Sequence, residues 1–132
     1  MKQSILLWKD WNLNNILHNA YKKGIVMSGV SAGAICWFDK GITDSYAEKL
    51  SIIDCLGIVE GIACPHFDEE KEREPYVNDI INREIIKSCI CIEGNCAFHI
   101  KNDIEYFSID FGNGKKCFRV YKENNILKKE IL

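Results

Sequence analysis

The stretch Ile25-Val26-Met27-Ser28-Gly29-Val30-Ser31-Ala32-Gly33-Ala34-Ile35-Cys36-Trp37-Phe38 decides how this chain is read. Ile25-Val26-Met27 is a short apolar run rich in β-branched residues, the composition of a strand buried on both faces of a parallel sheet. Small residues follow Ser31 and bulky ones follow those, which predicts a helix packed closely on the strand before it. Between strand and helix, Gly29-x-Ser31-x-Gly33 has the form of a nucleophile elbow, a sharp turn that lifts a serine hydroxyl out of a sheet while glycines remove Cβ clashes. The competing reading is a tight turn whose serine caps the next helix. The strand, turn and helix context favours the elbow.

Upstream, Trp11, Leu13, Ile16, Leu17, Ala20 and Tyr21 recur at helical spacing, with Asn12 or Asn14 to start the helix and Gly24 to stop it. A helix feeding a buried strand marks an α/β chain. Downstream, Asp39 to Ser51 is polar and irregular and reads as a loop. Leu56 to Ile62 reads as a strand leading to Cys64-Pro65-His66-Phe67. The charged run Asp68 to Glu74, followed by Tyr76, Val77, Ile80, Ile81, Ile85 and Ile86, predicts a second amphipathic helix with Pro75 in its first turn. Ser88 to Glu93 reads as another central strand. Cys96 to Ile100 is expected to pair with Ile104 to Phe111, and Lys116 to Tyr121 follows Gly112-Asn113-Gly114, whose Asn-Gly step signals a hairpin. The tail from Lys122 alternates in charge and receives no assignment. Without repeats, low-complexity tracts or linkers, residues 1–132 read as one domain.

Composition narrows the function. With 132 residues, of which 47% are hydrophobic, the chain is long enough to bury a core without disulfide or metal staples. Seventeen basic residues stand against nineteen acidic ones, and the lysines are scattered, so no nucleic-acid partner is expected. No apolar run reaches the ~18 residues of a membrane span. The run near Met1 is too short for a signal peptide, so a cytoplasmic protein is expected. The seven cysteines form an odd set without a C-x-x-C pair and read as small buried hydrophobes in a reducing compartment. Cys89, Cys91 and Cys96 are a weak metal cluster because no histidine sits at zinc spacing, and neither metal nor cofactor is expected.

A serine hydroxyl needs a histidine base and a carboxylate to orient it. His18 falls within the first helix, and His99 sits among apolar neighbours in a late hairpin. His66 follows a predicted strand at the edge where α/β sheets usually bind ligands, and is the best base. For the carboxylate, Asp39, Asp44, Glu48, Asp54 and Glu93 all stay open. The amide of Ala32, next after the nucleophile, is the expected oxyanion donor.

Gly29 to Phe38, then Pro65-His66-Phe67, then Glu93-Gly94-Asn95, resemble in order and spacing the peptidase E (aspartyl dipeptidase) family, part of the class I glutamine amidotransferase-like group. The resemblance runs from about Leu7 to the C-terminus. It implies a flavodoxin-like three-layer α/β sandwich with a mainly parallel sheet, here incomplete on its N-terminal side, plus C-terminal β-hairpins. It also implies a serine-type peptidase of short peptides, including N-terminal aspartyl dipeptides. The family's order of serine, aspartate and histidine points to Asp44 as the orienter of His66. Arg73, in Glu72-Arg73-Glu74, would hold a substrate carboxylate. Glu93 would shape the pocket, and is the alternative orienter. Two departures stand out: the loop from His66 to Arg73 is shorter than in the best-known members, and the family carries first strands and a glycine-rich oxyanion turn ahead of the region matching Leu7. Either the chain is a C-terminal fragment of a split or truncated gene, or it folds by pairing with another copy or with that missing half, and a truncated homologue is the favoured reading; the alternative function is an inactive or weakly active domain that works only with a partner. A glutamine amidotransferase is disfavoured, because those enzymes carry cysteine at the elbow.

Overall fold

A computed structural model describes residues 2–45 and 49–132 of the chain. Glu48, one of the candidate carboxylates, lies outside the described residues.

Strict alternation marks the centre of the sheet. In β4 (Ser88–Ile92), Cys89 and Cys91 join the core on one face while Ile90 and Ile92 join the core on the other. Beside it run β3 (Val59–Cys64) and β1 (Phe38–Thr43), all three parallel, and α4 (Arg73–Asn82) makes the crossover from β3 to β4. β2 (Ser51–Asp54) returns antiparallel on the outer side of β1. On the other flank β7 (Cys117–Glu123) is antiparallel to β4, and β8 (Ile126–Ile131) is antiparallel to β7. The order is β2-β1-β3-β4-β7-β8, with β5 (Cys96–Lys101) and β6 (Glu105–Asp110) forming a separate antiparallel pair.

The sheet is thus mixed, not mainly parallel as the resemblance implied. The cause is connectivity: β3 reaches β4 through a helix, whereas β1 to β2 and β7 to β8 are short returns, which force antiparallel pairing. Both faces of the central strands are nonetheless covered. On one, α4 lays Val77, Ile80 and Ile81 over Ile42, Cys64, Cys89, Cys91 and Val120. On the other, Ile35 of the short α3 (Ala32–Ile35) packs with Phe38, Ala63, Ile90, Ile92 and Cys117, and Phe98 of the β5–β6 hairpin stacks on Phe38 at 6.0 Å between ring centres. Burial pushes the Cys64 and Cys117 thiols up to about 12, so both stay neutral and behave as apolar filler. A four-residue helix and a hairpin on the second face do not make the flavodoxin-like layering.

The N-terminal third differs from expectation. α2 (Leu13–Lys22) lies where the helical spacing puts a helix, but a further helix, α1 (Lys2–Asp10), precedes it, with Asn12 in left-handed backbone at the junction. Ile25 to Met27 is not a strand: no described strand lies alongside it, and Val26 is 88% exposed. A β-branched run without a neighbour has nothing to pair with or bury against.

Three further corrections follow from the sheet. The expected loop from Asp39 to Ser51 contains β1 and the start of β2. Its polar look comes from Asp39 and Lys40, which are exposed, while Ile42 and Thr43 further along are buried. The strand expected from Leu56 begins only at Val59, after Gly57 turns the chain at φ 69°. Asn113-Gly114 does not close a hairpin, because β6 and β7 belong to different sheets; Asp110 instead accepts bonds from the Gly112 and Gly114 amides at 3.0 and 2.9 Å. The hairpin turn is Asn124-Asn125, with φ 51° and 63°, the double left-handed step of a two-residue return. Among the described residues no helix is long and apolar enough to cross a membrane.

Candidate active site

Ser31 has φ 54° and ψ −116°, a conformation that costs a non-glycine residue about 1–3 kcal/mol and persists only where its surroundings dictate it. Local bonds do so: the Gly33 amide donates to the Val30 carbonyl at 2.9 Å, and the Ala34 amide to the Ser31 carbonyl at 3.0 Å. A Cβ at Gly29 would lie 2.0 Å from the Gly33 carbonyl oxygen, so only glycine fits. Gly33 is different, since a Cβ there would meet nothing within 4 Å. One glycine of the pair, not both, is required by close approach. The Ala32 N–H has no hydrogen-bond partner among the described residues.

His66 stands just past the end of β3, held in place when the Phe67 amide bonds the Ile92 carbonyl of β4 at 3.0 Å. Its Nε2 is 2.8 Å from Ser31 Oγ. Its Nδ1 is 2.5 Å from Glu69 Oε2. The backbone turns back at this point, with the Glu69 and Glu70 amides both donating to the His66 carbonyl, and that turn returns the Glu69 carboxylate to the imidazole. Glu69 in turn lies against Gly94, where a Cβ would come within 2.4 Å of its Cδ. Asp68 fastens the same two turns: its carboxylate accepts the Gly94 amide at 2.8 Å and pairs with Lys115. Burial works to raise the Asp68 pKa, but the bonds from Lys115 and the Gly94 amide outweigh it and hold the carboxyl below its ordinary value.

The remaining sequence candidates are placed elsewhere. Asp44 Oδ1 lies 3.7 Å from Arg73 Nη2 and is not at the imidazole; the carboxylate there is Glu69. Arg73, only 3% exposed, donates from Nε to Glu70 at 2.6 Å and from Nη1 to the Ile42 carbonyl at 3.2 Å. Glu93 accepts the Lys116 amide at 2.9 Å and joins the ends of β4 and β7. Asp39 caps the Gly61 amide at 2.8 Å, and Asp54 pairs with Lys40 at 3.3 Å. His18 Nε2 sits 3.3 Å from the Leu56 carbonyl, and His99 rests against Phe107. Glu69 is hidden in the sequence because Asp68 to Glu74 has the composition of a helix start, whereas α4 begins only at Arg73. The available signal was a carboxylate three residues after the histidine in a turn.

Carried on an α/β sheet, a strained serine thus lies within hydrogen-bond reach of one imidazole nitrogen, with a carboxylate on the other. The profile of peptidase family S51 matches residues 3–105. Over 116 residues, 88% of the chain, it is 40% identical to the uncharacterized peptidase YgaJ of Bacillus subtilis (strain 168) and covers 50% of that protein. The chain belongs to peptidase family S51, which bears out the resemblance to peptidase E. It spans about half the length of the curated relative it matches.

Proposed function

We propose that this chain acts as a serine-type peptidase on short peptides. The observation that carries the reading is the line Ser31 Oγ, His66 Nε2, His66 Nδ1, Glu69 Oε2, with links of 2.8 and 2.5 Å. Ser31 attacks the scissile carbonyl as His66 takes its proton; the Ala32 amide faces the oxyanion; His66 then gives the proton to the leaving amine. Water, deprotonated by the same imidazole, releases the acyl group and restores Ser31. Glu69 replaces Asp44 as the orienter because it, and not Asp44, hydrogen-bonds Nδ1. Glu93 stays in this reading as a wall of the pocket beside Gly94. Membership of a peptidase family and the peptidase name of the relative support the reaction class.

Preference for an aspartyl substrate through Arg73 requires opening its bond to Glu70, since the guanidinium is already engaged. The decisive assay is hydrolysis of a dipeptide panel, with and without an N-terminal aspartate, by the purified chain and by Ser31→Ala. Turnover lost in Ser31→Ala supports the proposal, and equal turnover in both overturns it. The exposed run beside the nucleophile favours a second reading, in which the chain forms the elbow yet is inactive alone. Turnover by the purified chain that depends on Ser31 excludes that second reading.

A further inference from the structure

Glu93-Gly94-Asn95 joins β4 to β5 and lies against the turn that follows His66. A glycine in such a link is usually there for its backbone, but here the left-handed step falls on Asn95, at φ 56°, and Gly94 is not among the residues of positive φ. What Gly94 supplies is room. A Cβ on it would stand 2.4 Å from both Cδ and Oε1 of Glu69 and 2.9 Å from its Cγ, well inside the ~3.5 Å contact distance of two carbons. The other oxygen of that carboxylate, Oε2, is the one at His66 Nδ1, 2.5 Å away. The carboxylate is thus seated between the imidazole and the Gly94 backbone, although 48% of the Glu69 side chain is open to solvent. The neighbouring Asp68 keeps this seat in place: its carboxylate accepts the Gly94 amide at 2.8 Å and pairs with Lys115. Two adjacent carboxylates of one turn therefore use the same glycine, one through its N–H and the other through its missing side chain.

We infer that Gly94 is a positioning residue that acts on His66 through Glu69: its bare Cα leaves the carboxylate room to hold the imidazole in the Nδ1–H tautomer, with Nε2 free to accept the Ser31 hydroxyl proton. The assignment rests on the peptidase reading of Ser31 and His66. Its consequence is a separation of folding from function. The atoms that an added methyl would meet belong to the far end of a long, exposed side chain, which swings to another rotamer at little cost to the fold. The same swing takes the carboxylate away from Nδ1. The contact at Gly29 is of the other kind, since the Gly33 carbonyl that crowds it is backbone and cannot step aside.

The test compares Gly94→Ala in the full chain with the same substitution in the Glu69→Ala background, where the added methyl meets no carboxylate. Gly94→Ala is expected to leave the urea midpoint unchanged and to slow fluorophosphonate labelling of Ser31 at least ~tenfold, but less than ~twofold once Glu69→Ala is present. Nitrogen NMR of the imidazole in alkaline buffer reads the His66 tautomer without recourse to Ser31: Nδ1–H in the wild type, and Nε2–H in Gly94→Ala and Glu69→Ala alike. Equal slowing in both backgrounds, or a midpoint lowered equally in both, gives Gly94 to the turn and overturns the inference. An Nε2–H tautomer already in the wild type, or an Nδ1–H tautomer that persists in Gly94→Ala, overturns it too. A midpoint lowered by Gly94→Ala and restored by Glu69→Ala supports it, because the strain is then with Glu69. A tautomer that follows Gly94 in a chain whose Ser31 never labels sinks the peptidase reading and leaves Gly94 as the seat of Glu69.

Discussion

Ser31 and His66 meet at 2.8 Å from supports of opposite quality. The histidine side is bolted down: β3 and β4 are central strands, α4 covers them, and the turn from His66 to Glu69 is tied to Gly94 through Asp68. The serine side is held by its own turn, where Gly29 fits against the Gly33 carbonyl, while the residues leading into it face solvent. A strained serine turn is therefore encoded within a few residues, whereas a firmly held histidine needs the whole sheet behind it.

The sharpest way to break this contrast is stability. Ile81→Ala in the α4 core is expected to cost about 2–5 kcal/mol in urea unfolding of the chain, because it empties a fully buried site. Val26→Ala is expected to stay within about 0.5 kcal/mol. A comparable loss at both positions would mean that residues 25–30 are packed in the isolated chain.

Next in size is the orienter. Glu69→Gln removes the charged acceptor at His66 Nδ1 and is expected to slow acylation of Ser31 by on the order of 10²-fold or more, read as the rate of labelling by a fluorophosphonate. Asp44→Asn should leave that rate within roughly fivefold, as suits an exposed carboxylate 3.7 Å from its partner. If Asp44→Asn proves the more damaging, the histidine side is built differently from this account.

The elbow is probed by its two glycines. Gly29→Ala forces the turn apart and is expected to cost about 1–3 kcal/mol and to suppress labelling, whereas Gly33→Ala has open space and retains it. Equal loss in both variants would place the crowding elsewhere.

The smallest effect is in acid. Asp68 has a lowered folded-state pKa, so its contribution is present above the ordinary aspartate range and is lost as pH falls through the folded value. The urea midpoint of the wild type should drop more between pH 7 and pH 3 than that of Asp68→Asn. Parallel curves would show that the clasp to Gly94 and Lys115 adds nothing to folding.

How much of this was legible in the sequence follows the same division. The place of His66 at the end of β3, the crossover helix with Val77, Ile80 and Ile81, and the alternation in β4 could be read because each pattern finds its partner inside the chain. Ile25 to Met27 carries a strand's composition and is not one, since pairing is a property of two segments and composition belongs to one. Asn124-Asn125 outcompeted Asn113-Gly114 as a hairpin turn because the latter joins two sheets, a fact no local signal carries. Glu69 was hidden in a charged run whose first residues form turns, and only the backbone return at His66 brings its carboxylate to the imidazole.

The central claim is that Ser31 is a nucleophile activated by His66, and fluorophosphonate labelling of the folded chain followed by peptide mass mapping tests it most directly. A single adduct on Ser31 is expected, absent in Ser31→Ala and formed at least ~100-fold more slowly in His66→Gln. A folded protein that takes no label at Ser31, or that labels there equally fast without His66, would contradict it.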